Sequence, residues 1–460
     1  MTWAEPKGVD FSQPRLLWRS ILVLAIPIAL QMLLQSFIGM SDVIMIGGLG
    51  PAAIAAVGLA AKIHFLLIVL MSGLSTGCSV LIAQYLGAGE FKRSSATLSA
   101  TLIVGTVAVL PLVLLFAFSS PWLLGLMNPD PEVVKLTAQY MTITAPILLI
   151  MQWIVIYEAS LRAQGLTGVP LMGGVVAAIV NVLLNYVLIN GNWGFPALGV
   201  AGAAWATVFA RGIQLAVILG WMQVNKHPFM PSKTQLLLGF ERQLMMRFVW
   251  FSLPLIANYA IWAIGNTTYH FITGFAGTSA LAVMGVLVPV ESAFFALFVG
   301  LANACAVLVG RELGAGKNDN AMRLHKFFDR LTYGLLIFFC VGLWFSRPWL
   351  VGIFDQLGAE SAALMSDTLA VFCVLVFLKM FNMMRIIGVV RAGGDNRFTL
   401  IIDTLVMWVF GLPIFIAAVF FTQLSFVYLY ALMYLEDVLK FIPVIRRIKS
   451  KKWMNNLSER

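Results

Sequence analysis

A single carboxylate stands inside the first long apolar stretch of this chain. Residues 22–45 read LVLAIPIALQMLLQSFIGMSDVIM, with Asp42 near the far end. Between Trp18 and Leu49 the only charged residues are Arg19, at the near edge, and Asp42. A charge at membrane depth costs about 2.5–3.5 kcal/mol on insertion scales, so one that persists there marks an ion or substrate path. Counted from Leu22, twenty residues at about 1.5 Å each span roughly 30 Å, which would carry Asp42 to the far interface as a plain helix cap. Pro27 and Gly39 permit a bend that keeps the helix end inside the protein, and we read Asp42 as functional.

Other polar residues point to the same depth. Asn181 and Asn185 are four apart in GGVVAAIVNVLLNYVLING, so they share one helix face. Amides in lipid need partners, which turns that face inward, either to Asp42 or to an ordinary interhelical contact. Thr207, in GVAGAAWATVFARG, reaches a similar level, and Gly199, Gly202, Ala203 and Ala204 allow close packing there. Glu158 and Arg162 are also four apart and suit a structural ion pair, and Arg391 should do similar work further on. Glu291 lies mid-segment in VPVESAFFALFVG and is a candidate of the second half. Asp403 reads as an interfacial structural carboxylate, and Lys62 as the one basic residue deep in a helix of the first half.

These side chains need membrane helices to position them. The chain has 460 residues, 60% of them hydrophobic and 11% charged, with a mean hydropathy of +0.92. Soluble domains carry about 25% charged residues, so this is an all-α polytopic membrane protein. The net charge of +10 does not indicate nucleic-acid binding, because the Lys and Arg fall in short loops on one side. The first apolar segment is too long for a signal-peptide core, so no cleaved signal is expected. Cys78, Cys305, Cys340 and Cys373 lie in apolar runs as small core residues, with no metal spacing. No metal site, cofactor or catalytic residue is expected.

Twelve hydrophobic segments are predicted, near 16–42, 51–84, 97–120, 133–160, 169–191, 198–222, 245–272, 278–311, 324–346, 362–389, 398–421 and 425–445. The loops near 46–50, 191–197, 273–279 and 422–424 hold no Lys or Arg. That asymmetry places both termini in the cytoplasm of a multi-pass inner-membrane protein.

An internal repeat organises the segments. SGLSTGCSVLIAQYLGAGE (72–90) aligns with VGLANACAVLVGRELGAGK (299–317) at an offset of 227. The same offset pairs Pro27 with Pro254, Gly50 with Gly277, Gln84 with Arg311 and His64 with Glu291. Shifted by two more residues, LRAQG (161–165) matches VRAGG (390–394). The chain is thus two six-helix halves, 1–225 and 241–460, joined by a polar cytoplasmic linker, 226–240. Parallel repeats of this kind build transporters that rock around a midplane cleft.

The whole length resembles the MATE (multidrug and toxic compound extrusion) family. The resemblance is carried by the Pro27–Asp42 helix, GCSVLIAQYLGAGE, ELGAGK, EASLRAQG, NVLLNYVLINGNWGFPALGVAGAAWAT and RAGGDNRF. It implies twelve helices in two pseudo-symmetric bundles forming a V, and antiport of cationic or amphipathic organic compounds against H⁺ or Na⁺. NorM-like members carry a helix-7 glutamate where this chain has Trp262, whose repeat mate is Gln35. They also carry a helix-10 aspartate where it has Met380. The remaining pattern is similar to the DinF-like branch, with Asp42 for cation coupling and Gln35, Asn181, Asn185 and Thr207 for substrate and ion binding. Many DinF-like members have aspartate at the position of Asn185, so a two-carboxylate Na⁺ site is not expected here.

The expected function is efflux of small cationic or amphipathic molecules by a monomer in the bilayer, with protonation of Asp42 as the coupling event. A lipid-linked oligosaccharide flippase is the alternative, and it would need a basic cleft for pyrophosphate. A membrane transferase would need clustered acids for Mg²⁺, whereas the carboxylates here are scattered.

Overall fold

Prolines and glycines mark where the helices begin and bend. The computed structural model describes residues 11–125, 130–231, 233–352 and 359–459. In chain order the helices are α1 (Pro14–Ile46), α2 (Pro51–Gly87), α3 (Phe91–Gly125), α4 (Pro131–Thr144), α5 (Ile147–Ala163), α6 (Gly168–Asn190), α7 (Val200–Val224) and α8 (Lys233–Leu238). Then follow α9 (Arg242–Thr273), α10 (Thr278–Gly314), α11 (Asn318–Gly352), α12 (Ala359–Arg385), α13 (Asn396–Thr404), α14 (Leu412–Phe421), α15 (Phe426–Met433) and α16 (Leu435–Lys449). Gly50 and Gly277, repeat mates, hold φ of 101° and 110° at the starts of α2 and α10, a backbone region that side chains resist. Wider turns at Ile386–Val390 and Leu405–Gly411 carry α12 onward and join α13 to α14.

The protein is a multi-pass, all-helical membrane protein. Ten helical spans are long and apolar enough to cross a bilayer among the described residues, and the α4–α5 pair, bent by 54°, makes an eleventh. The twelfth predicted segment is α15–α16, broken at Tyr434 and too rich in charge on α16 to qualify by composition alone. Phe118, Phe345, Trp349 and Phe421 are exposed, as lipid-facing side chains should be. All four cysteines are free and buried.

The described helices divide into two compact units, one built on Leu30–Ile256 and the other on Ala257–Arg460 together with α1 up to Ala29. The chain therefore changes unit within α1 and within α9, and the two breakpoints are repeat mates (256 − 29 = 227). Each lies two residues after a proline, Pro27 or Pro254, which removes a helical hydrogen bond and lets the half-helices part. Small residues seat the half-helices. In the first unit a Cβ on Gly73 would lie 2.6 Å from the Ile256 Cα, and one on Gly77 would strike the Ser252 hydroxyl. In the second unit a Cβ on Gly300, the mate of Gly73, would lie 2.6 Å from the Ala25 carbonyl oxygen. Under the first unit's polar residues lies a core that includes Ala60, Met71, Met141, Leu148 and Ala204.

The linker is ordered by a buried imidazole. His227 Nδ1 accepts the Phe229 N–H at 3.1 Å, and the ring packs between Trp221 and Phe229. Burial pushes its pKa down to about 4. Beyond it α8 leads to Gly239, which abuts the backbone of Ser99 and Ala100 on α3.

Two outcomes follow from this packing. Gly73→Val should lower stability by about 1–3 kcal/mol through overpacking, seen as an earlier thermal unfolding midpoint in detergent. Gly58→Val is the control, because open space surrounds Gly58; equal losses in both variants would rule out the close approach as the cause. For the linker the folded pKa lies below the ordinary value of 6.5, so its stability is full above pH 6.5 and drains away as pH falls toward 4. Limited proteolysis at the linker should accelerate over that window in wild type and lose its pH dependence in His227→Gln.

Candidate functional site

Asp42 sits in the last turns of α1, partly buried. Asn185 on α6 donates from Nδ2 to Asp42 Oδ1 at 2.5 Å, and the same nitrogen lies 3.3 Å from Asn181 Oδ1. Asn181 is 2% exposed and Asn185 fully enclosed. The other end of the amide, Asn185 Oδ1, is buried with no hydrogen-bond partner. A buried acceptor left unmet costs about 1–3 kcal/mol.

The neighbouring helices complete the pocket. Gly202 lets α7 close directly on the Leu188 carbonyl of α6, which sets the height of the two amides. Tyr140 on α4 is buried within the reach of the charge on Asp42. The Thr207 hydroxyl donates back to Ala203 O at 2.9 Å and lies within hydrogen-bonding reach of Tyr140. His64 on α2 stacks at a tilt on Tyr140, and its Nε2 lies 3.3 Å from the Thr144 hydroxyl.

A second buried carboxylate, Glu158 on α5, holds the same unit together. Gln31 Nε2 and Gln214 Nε2 both donate to its Oε1, at 2.6 and 3.0 Å, and Arg162 Nη1 lies 3.7 Å from Oε2. Arg211 Nη1 donates to Gln214 Oε1 at 2.8 Å, and its charge is felt at both Asp42 and Glu158. Two acids, Asp42 and Glu158, are thereby set against two bases, Arg162 and Arg211.

Several expectations shift in register. Gln35 is exposed, and the buried amide is Gln31, one turn earlier on α1. Lys62 is exposed, while the basic residue inside the first unit is Arg211. The signal for it was present, since Arg211 is the only charged residue between Val200 and Val224. In the second unit Asp403 accepts from Asn258 Nδ2 at 2.9 Å and lies 3.5 Å from Lys440 Nζ. Arg391 Nη2 donates to Asn258 Oδ1 at 2.5 Å. Lys440 also lies 3.7 Å from Asp437, and the α16 stretch YLEDVLK was not singled out from sequence. Glu291 belongs to this unit and accepts the Tyr430 hydroxyl proton. Among the described residues no group of three or more His, Cys, Asp or Glu is placed to hold a metal ion.

Known proteins resemble the chain along most of its length. The probable multidrug resistance protein YoeA of Bacillus subtilis (strain 168) is 25% identical over 429 residues, 92% of each chain. Multidrug and toxin extrusion protein 1 of Mus musculus is 27% identical over 419 residues, covering 90% of this chain and 71% of its own. Identities this even do not separate the DinF-like from the NorM-like branch. Among solved structures, a crystal structure of MATE in complex with MaL6 superposes with a TM-score of 0.84 at 20% identity, covering 94% of this chain and 96% of its own, which shows a common fold. The MatE family model matches residues 27–187 and 254–417, one stretch in each repeat, and the chain belongs to the MatE family.

Proposed function

We propose that this MatE-family chain is a secondary multidrug efflux antiporter, exporting cationic or amphipathic organic compounds in exchange for H⁺, with protonation of Asp42 as the coupling event. The observation that carries the reading is the half-satisfied amide of Asn185 beside Asp42. An ionised Asp42 takes the amide N–H. A protonated Asp42 has an O–H to donate, and the same amide, rotated, offers its oxygen. One side chain thus offers Asp42 a partner in both protonation states. Ionised, Asp42 attracts a cationic substrate; protonated, it does not, so proton and substrate compete for one site. The change in hydrogen bonding is proposed to bend α1 at Pro27 or Gly39 and to reverse access. The relatives' names, multidrug resistance protein and multidrug and toxin extrusion protein, support export of varied organic molecules rather than an enzymatic role.

Na⁺ is the neighbouring choice of coupling ion. Hard cations want several oxygens, and Asp42, Asn181, Asn185 and Thr207 offer one or more each. Drug-induced dissipation of ΔpH, measured with and without Na⁺, separates the two ions. The flippase alternative gains a half-buried base in Arg211 but no net basic cleft, because Asp42 and Glu158 oppose Arg162 and Arg211. We assign the protein to the inner membrane as a monomer, with both termini cytoplasmic by the distribution of Lys and Arg.

Asp42→Asn should reduce proton-driven efflux of a cationic dye from proteoliposomes to background, and wild-type rates in that variant would end the proposal. Glu158 and Arg162 are proposed as a structural tie. Glu158→Gln leaves buried guanidinium charge uncompensated and should cost about 3–5 kcal/mol of stability. Lost transport at unchanged unfolding temperature would instead make Glu158 part of the coupling.

A further inference from the structure

The last basic residues of the chain are held in place by a buried ring. After α16 the chain turns back at Lys451, whose φ of 57° lies in the left-handed region that side chains resist. Two residues on, Trp453 is 0% exposed, and its Nε1 donates to Ile448 O at 3.2 Å. Gly393, between α12 and α13, makes room for it, since a Cβ there would strike the Trp453 carbonyl. Asn455 Nδ2 donates to Gly393 O at 2.9 Å, and Leu457 is buried as well. Arg447 adds a two-pronged tie to Asp395, at 2.5 and 3.0 Å. Chain ends are ordered when tied down, and this one is tied by a ring, an amide and a guanidinium.

Those ties use Arg447 and leave four other bases facing outward. Arg446, Lys449, Lys451 and Lys452 are exposed, and none has an ion-pair partner among the described residues. Beyond Asp437 the sequence holds one acid, Glu459, which accepts from Asn456 Nδ2 at 2.8 Å. On α16, Val438, Ile442, Arg446 and Lys449 follow at spacings of four, four and three, so they form one stripe along the helix. Val438 and Ile442 are 47% and 57% exposed. The stripe thus passes from exposed apolar side chains to exposed charge. At about 1.5 Å per residue, Arg446 and Lys449 stand roughly 6 and 10 Å beyond Ile442. A phospholipid presents its acyl chain and then its phosphate in that order. Membrane orientation alone would be served by bases on a free tail, with no left-handed lysine and no buried Trp453.

We propose that the end of α16 and the folded-back tail form a binding surface for anionic phospholipid headgroups, in the leaflet we assign to the cytoplasm. Four fixed positive charges attract a surface of negative headgroups across about a Debye length, roughly 10 Å at 0.1 M salt. The ammonium and guanidinium groups then donate to lipid phosphate. Val438 and Ile442 lie against the acyl chains, which favours a lipid over an acidic protein or a nucleic acid. Bound lipid holds the tail on Gly393 and so stabilises the second unit. The surface belongs to that unit alone and depends neither on Asp42 nor on the coupling ion.

The test uses the full chain purified in a neutral detergent, with phosphatidylglycerol or phosphatidylcholine titrated into the micelles. Phosphatidylglycerol should raise the thermal unfolding midpoint saturably, and phosphatidylcholine should not. Each base near a charged surface carries about fivefold in affinity, so replacing Arg446, Lys449, Lys451 and Lys452 together by Gln should abolish the shift. Replacing Lys317, Arg323, Lys326 and Arg330 by Gln, four exposed bases elsewhere on the second unit, should leave it intact. In wild type, raising NaCl from about 50 to about 500 mM should remove most of it by screening. Equal shifts from the two lipids overturn the proposal, as does a shift that survives the first set of substitutions or is lost equally in both sets. A salt-insensitive shift overturns it whether or not the variants fold. An equal shift from glycerol 3-phosphate makes the surface a soluble-phosphate site and overturns the lipid assignment.

Discussion

The hydrogen bond from Asn185 to Asp42 is the constraint around which the first unit is built. Hydrocarbon offers no water to either group, so each must find its partner in protein. That requirement fixes the register of α1 against α6 and makes the small residues of α7 necessary, because Gly202 sets how closely α6 and α7 approach. Tyr140, His64 and Thr144 pack together in the same unit, with His64 Nε2 3.3 Å from the Thr144 hydroxyl. The protein thus meets this acid with neutral amides rather than a salt bridge.

The same logic repeats where the chain passes between units. Gln31 and Asn258 are repeat mates (31 + 227 = 258), and each stands two residues after a breakpoint, at Ala29 and Ile256. Gln31 donates to Glu158 and Asn258 donates to Asp403, each within its own unit. Shortly after its proline, each helix is therefore tied by an amide to a carboxylate of the unit it has entered. The arginines of the matched loops, Arg162 and Arg391, reach the same two ties by different contacts, one to the acid and one to the amide. Repeat symmetry has kept the joint while letting its chemistry diverge.

Much of this was legible in the sequence. The offset of 227 gave the duplication, and the solitary charge near the end of the first segment gave Asp42. Spacing gave the Asn181–Asn185 pair and the Glu158–Arg162 pair, because helical neighbours four apart share a face whatever surrounds them. What sequence reading missed depends on facing. A membrane helix is apolar all round, so hydropathy does not say which side looks inward. Gln35 and Gln31 are a turn apart on such a helix, and only packing against α5 distinguishes the buried one. Arg211 and Lys440 were not singled out, because a long basic side chain in an apolar segment is equally able to snorkel to the interface. Each instead turns inward to polar and acidic groups of its own unit. The exchange of half-helices between units was hidden too, since Pro27 and Pro254 announce a bend but not the partner the bent half will choose.

The central claim is that substrate and proton compete at Asp42, and proton release on binding measures it most directly. Saturating cationic substrate, added to detergent-solubilised protein in weakly buffered solution, should expel protons in proportion to the sites filled. Asp42→Asn should remove that component of the release. Saturable binding to wild-type protein that frees no proton would contradict the account.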